Sequence, residues 1–170
     1  MTASLRILDA ISLFLFRLAC LLVLGIVLIV TYDVASRNLG LPTAVWAVNS
    51  VEYAMLYITF LCLPHLVLTR GHVCVEILLT YMPARLRKAW EAALQIASAL
   101  ICFYLAWHTF EVFQKSLFDG SYEVRAFDMP DWAIYITMPV GFLFGGLQFL
   151  AFFPRHESFF GAAPDAHAGM

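Results

Sequence analysis

Across 170 residues, 62 % are hydrophobic, 15 % aromatic and only 13 % charged, with a formal net charge of -2. A water-soluble domain is nearer half apolar and a quarter charged, so this composition excludes water as the main solvent. No basic run of the kind that holds a phosphate backbone is present, which excludes nucleic acid as a partner.

A bilayer core about 30 Å thick needs about 20 apolar helical residues, and four stretches meet that length. They run from Leu13 to Tyr32, Trp46 to Leu68, Ala89 to Phe113 and Trp132 to Phe153. The fold class expected is an all-α integral membrane protein with four transmembrane helices forming a single domain over residues 1–153. The first apolar run is longer than a signal-peptide core and no convincing small-x-small cleavage site follows it, Asp33, Val34 and Ala35 coming closest, so an uncleaved first helix is expected, with cleavage as the alternative. Between the second and third spans, Val73 to Met82 is apolar but too short to cross. Its His72, Glu76 and Thr80 recur every four residues, which predicts a short amphipathic helix lying in the membrane interface. Residues 154–170 are rich in Gly, Ala, Pro and His without periodicity and predict a disordered tail. No internal repeat is visible in the sequence.

With four spans the N-terminus, the middle loop and the C-terminus share one side. That side carries Arg6, Arg17, Arg70, Arg85, Arg87, Lys88 and Arg155, against Arg37, Lys115 and Arg125 on the other, seven to three. The positive-inside rule then predicts both termini in the cytoplasm, and the loop Gln114 to Asp131 as a mildly acidic outer surface.

Few residues could carry chemistry. Glu52 lies about 9 Å inside the second span at 1.5 Å per residue, the deepest acid of the chain. A buried carboxylate either serves a proton path or forms a structural ion pair, and Arg37 is the nearest cation in depth. Arg17 sits near the cytoplasmic end of the first span and can snorkel. His65 and His108 are the intramembrane histidines, but their depths differ by about 17 Å, too far for one haem iron. Thr137, Gly141 and Gly145 form a small-residue face on span four where another helix can approach closely, from this chain or from another subunit. Pro64 and Pro139 each loosen a backbone turn. Cys20, Cys62, Cys74 and Cys102 have no CxxC or zinc spacing and read as small apolar residues without disulfides. No catalytic constellation, metal site or cofactor site is visible, so no enzyme is expected.

Arg37 after span one, Trp46 and Glu52 opening span two, and Arg70, Gly71, His72, Val73 and Glu76 after it stand in an order and spacing that resemble a known family. So do Pro130 and Trp132 opening span four, with Pro139, Gly141 and Phe142 inside it. The family is the small membrane subunit of tripartite ATP-independent periplasmic (TRAP) transporters, and the similarity covers most of Ile7 to Phe153. The resemblance implies two partners: a large membrane subunit that binds sodium and substrate and moves as an elevator, and a periplasmic substrate-binding protein. It also implies a bacterial inner membrane location, uptake of small organic anions driven by ion gradients, and a scaffold role for this chain. Thr137, Gly141 and Gly145 are then the candidate face for the large subunit. Two rival readings stand beside it, a redox-enzyme membrane anchor and a self-sufficient four-helix exporter using Glu52.

Overall fold

The computed structural model describes residues 3–42, 44–69, 84–125 and 128–155. Its long helices are α1 (Ala3–Asn38), α2 (Val45–Leu68) and α3 (Ala84–Asp119). They are followed by strands β1 (Tyr122–Val124) and β2 (Asp128–Pro130), a short α4 (Asp131–Tyr135) and α5 (Thr137–Arg155). Among the described residues, four segments are long and apolar enough to cross a membrane, α4 and α5 together making the fourth. The chain is an all-α integral membrane protein.

Helix ends follow backbone chemistry more than hydropathy. α1 has 36 residues, about 54 Å of helix, well beyond the predicted Leu13 to Tyr32. It stops at Gly40, whose φ of 69° suits a left-handed cap. Leu41 N–H bonds the Ser36 carbonyl at 3.0 Å and Gly40 N–H that of Arg37 at 3.2 Å, the paired bonds of a Schellman cap. α3 continues past the predicted Phe113 to Asp119 and ends at Gly120, with φ 60°. The last span is not continuous. Ile136 separates α4 from α5, three residues before Pro139, whose ring conflicts with the carbonyl four residues back and breaks the ladder there. Pro64, by contrast, sits inside an unbroken α2.

The helices stand in an open row ordered α1, α2, α5, α3. Contacts give their directions. Phe16 stacks on His65 at 4.2 Å and Tyr32 on Trp46 at 6.3 Å, so α1 and α2 are antiparallel. Gly141 meets Phe60 and Gly145 meets Leu63, so α2 and α5 run parallel. Gly146 meets Cys102 and Phe103, which joins α5 to α3. Each half is therefore a hairpin of a 36-residue helix and a 24-residue span, α1 with α2 and α3 with the segment Asp131–Pro154. The halves meet through their shorter members and have the same direction. We call the side with the Gly40 turn and the β-strands the turn side, and the side where α1 begins and α5 ends the terminal side.

Burial follows this order. Only 6 % of the apolar window of α1 is buried, against 39 % in the fourth span, so the outer helix faces lipid while α5 sits centrally. On α1, Ser12, Ala19, Ile26 and Asp33 recur every seven residues on its more buried stripe, a narrow seam of the coiled-coil type. The buried cluster of Val67 and Phe152, with Phe149 packed on it, closes the terminal end of the α2–α5 contact. Several hydroxyls along the spans are satisfied locally: Thr31, Ser50, Thr59 and Thr109 donate to the carbonyls of Val27, Trp46, Met55 and Leu105.

The stretch predicted as a plain outer loop carries structure of its own. β1 and β2 pair antiparallel, Glu123 opposite Met129 and Val124 opposite Asp128. The predicted interfacial helix from Val73 to Met82 lies outside the described residues, as do Arg70, Gly71, His72, Glu76 and the tail beyond Arg155.

Candidate functional site

Polar side chains gather at the two ends of the α2–α5 pair and leave its middle dry. At the turn side, α2 presents Glu52 and Tyr53 to the strands. Arg125 donates through Nη1 to Glu52 Oε2 at 2.5 Å and through Nη2 to Glu123 Oε1 at 2.6 Å. Tyr53 donates its hydroxyl to Glu123 Oε2 at 3.3 Å. One turn further along α2, the Tyr57 hydroxyl donates to the Ala133 carbonyl of α4. One helix face thus grips both the β-hairpin and the short helix. Glu123 first, and Glu52 after it, push the Arg125 pKa up, with desolvation pulling the other way. The guanidinium is a fixed cation held between two carboxylates.

This arrangement corrects the expected Arg37–Glu52 pair. Arg37 bridges Asp33 at 2.8 Å, one turn back on its own helix, where an i,i+4 partner needs no reach between helices. Glu52 is taken by Arg125 instead. The side chains of Glu52 and Arg125 are 51 % and 46 % exposed, so the pair lies at the turn-side rim of the protein and Glu52 is not an acid sealed in its interior. Asp33 and Glu52 do face one small cavity of about 230 Å³ between α1 and α2.

The small-residue face of span four also receives a correction. Gly141 and Gly145 are turned toward α2. A Cβ on Gly141 would run into the Phe60 backbone carbonyl, and one on Gly145 would lie 2.9 Å from Leu63 Cδ2. The face expected for the large subunit is filled by the chain's own second helix. The absence of side chains at these positions is what lets two parallel helices touch. Thr137 stands at the start of the same helix, with its hydroxyl oxygen buried and unpartnered.

At the terminal side, Gln148 of α5 is fully buried. Its Nε2 donates to Ser12 Oγ at 2.8 Å and to Asp9 Oδ1 at 3.2 Å, tying the start of α1 to α5. His65 stacks on Phe16 near this level with Nδ1 buried and unpartnered. His108 lies on the exposed side of α3, where its Nδ1 is 3.2 Å from Glu111 Oε2. The two histidines therefore belong to separate contacts. Arg17 is exposed on α1, and Trp46 and Trp132 are exposed at the openings of their spans. No group of three or more metal-ligating side chains occurs among the described residues.

Tyr53, Tyr57, Arg125 and Gln148 join these contacts without standing out as candidates on sequence grounds. All but Arg125 have a signal in the sequence. Glu52, Tyr53 and Tyr57 put a carboxylate and two phenols within six residues of an apolar span. Gln148 is the one amide in a fourth span whose other members are almost all apolar, and a buried amide must find partners.

Comparison with known proteins adds to this geometry. Residues 26–156 match the family described as tripartite ATP-independent periplasmic transporters, DctQ component. Over 135 residues the chain is 25 % identical to the ectoine TRAP transporter small permease protein TeaB of Halomonas elongata, covering 78 % of this chain and 69 % of that protein.

Proposed function

Because the chain belongs to the DctQ family of TRAP transporter small subunits, a multi-pass inner-membrane component and not an enzyme, we propose that it acts as the fixed brace of its transporter. In this reading it holds a large membrane subunit that carries sodium and substrate, and a periplasmic binding protein delivers the solute. The observation that carries the brace reading is the dry middle of the helix row. Between the Tyr57–Ala133 bond and the Gln148 junction, the α2–α5 seam is glycine packed on Phe60 and Leu63. Gly141 to Gln148 alone spans about 10 Å of helix. Among the described residues no polar route crosses it, and an ion or anion would need one. The rim position of Glu52, paired with Arg125, supports a structural part for that acid and not a proton-carrying one.

The lysine and arginine bias supports cytoplasmic termini, with the β-hairpin on the periplasmic side. A cysteine placed at Ser121 is expected to react with an impermeant maleimide added to intact spheroplasts; protection there, with labelling only in inverted vesicles, would reverse the orientation. The substrates expected from the resemblance are small organic anions, and the name of the Halomonas elongata relative adds ectoine to the range to be tested. Choice among them rests with the other subunits.

Uptake in reconstituted vesicles tests the function. The chain with its large subunit and binding protein is expected to take up solute under an ion gradient, and the chain alone is expected to take up none. Glu52→Gln in the complex should keep uptake close to wild type. Transport by the isolated chain would remove the brace reading. Loss of uptake in an assembled Glu52→Gln complex would restore that acid as an ion-path residue.

A further inference from the structure

The two helical segments of the central seam each carry a proline, and each proline's fault in the backbone ladder is met by the other helix. In α2, Pro64 has no N–H to give the carbonyl of Phe60 four residues back, and its ring pushes that carbonyl out of line. In hydrocarbon no water takes the place of the missing donor, so a neighbouring helix has to. Gly141 of α5 is that neighbour. A Cβ there would run into the Phe60 oxygen, so the hydrogen that glycine carries in its place points at the carbonyl as a weak Cα–H donor. Pro64 is fully buried, and the Phe60 and Phe142 rings meet edge-on at 5.2 Å beside the contact.

The fourth span shows the converse. Pro139 cannot donate to the Tyr135 carbonyl, the ladder stops at Ile136, and the junction of α4 and α5 is left with carbonyls outside the helical pattern. Ala133, whose helical donor would be Thr137 N–H across that junction, accepts the hydroxyl of Tyr57. Tyr57 stands three residues before Phe60 on α2. One turn of α2 therefore mends the fourth span and hands its own displaced carbonyl to it.

We propose that the seam is a reciprocal clamp, in which Pro64 presents the Phe60 carbonyl to Gly141 while Tyr57 holds the α4–α5 junction at Ala133. Its effect is conformational. A proline takes one bond out of a helix and leaves a turn that bends easily. Here each such turn is gripped by the opposite helix, so the angle between the two hairpins is set from both sides. Neither bend can relax unless the seam parts. The clamp is a property of the chain itself and stands whichever way the brace reading is decided.

Two double-substitution cycles test the clamp on the purified chain in mixed micelles, each read as the folded-to-unfolded ratio at one denaturant concentration. Pro64→Ala restores the N–H and returns the Phe60 carbonyl to its own helix, which makes room above Gly141. Gly141→Ala is expected to lower the ratio about ten-fold or more with Pro64 present, and several-fold less in Pro64→Ala. Gly145→Ala, which meets Leu63, should lower it by the same factor in both backgrounds. In the second cycle Tyr57→Phe removes only the hydroxyl and should lower the ratio several-fold in the wild type. In Pro139→Ala, or in Pro139→Ser as a second variant that restores the N–H, the same change should leave it close to unchanged, because Thr137 N–H can then reach Ala133. Equal factors for Gly141→Ala with and without Pro64 overturn the proposal. So does equal relief of Gly141→Ala and Gly145→Ala in Pro64→Ala, which would mean that the seam has only loosened. A Tyr57→Phe loss that persists in both Pro139 variants also overturns it, since the hydroxyl would then join two helices without mending a break.

Discussion

Gly141→Leu is expected to cost the isolated chain about 3 kcal/mol or more of stability, the upper range for overpacking a closed contact. The reason is what the added atoms meet. At Gly141 they run into the Phe60 carbonyl, a backbone group that cannot move without shifting α2. At Gly145 the first obstacle is Leu63 Cδ2, the free end of a side chain, 2.9 Å from a Cβ. A graded series follows. Gly141→Ala should already lose about 1–3 kcal/mol. In Gly145→Ala, a smaller clash is partly offset by the higher helix propensity of alanine, about 1 kcal/mol. Unfolding of the purified chain in mixed micelles, followed by far-ultraviolet circular dichroism, gives the ranking. Unchanged stability in both leucine variants, with loss of the large subunit on co-purification, would return this face to the partner and contradict the α2–α5 seam.

Gln148→Leu is expected to release the first turns of α1 and to cost about 1–2 kcal/mol, the range for an interhelical polar contact in a membrane. α1 meets α5 only weakly outside this junction and otherwise leans on α2. The amide is fully buried and supplies hydrogens to both Asp9 and Ser12. Leucine matches its bulk but donates nothing, whereas Gln148→Asn keeps the chemistry on a shorter arm. Both variants should raise the reactivity of a cysteine introduced at Leu8, the leucine variant more, while one introduced at Ile29, near the other end of α1, should respond as in wild type. A uniform rise along α1 would mean that the α1–α2 seam, and not Gln148, holds that helix.

The membrane class and the four crossings were legible because hydropathy over about twenty residues reports what hydrocarbon requires. The ends of the helices were less so. Lipid stops constraining α1 before Asp33, but no residue forbids the helix until Gly40 and Pro42, and the backbone continues to the first one that does. The glycine face of span four was visible in the spacing, yet spacing cannot name the helix that approaches it. That information lies in the order of the row, where α2 neighbours α5 although the chain makes α3 between them. The Glu52 partner failed for a related reason. Depth along separate helices suggested Arg37, whereas Arg125 reaches Glu52 from a hairpin folded back over α2, and three-residue strands leave little periodicity to read. The two hairpins, alike in helix length, also left no visible repeat in the sequence, since apolar side chains facing lipid can be exchanged without altering the architecture.

The row order also has a consequence in time. As the chain emerges from the ribosome, α1 and α2 can pair at once, but α3 enters the bilayer before its main neighbours, α4 and α5, exist. During that interval its long apolar sides have lipid for company, and Cys102 and Phe103 wait for Gly146. The arrival of α5 closes the contacts with α3 and α2 and the Gln148 junction with α1. The glycine seam thus cannot form before the fourth span is in place, and a fault there leaves two hairpins inserted side by side but not joined.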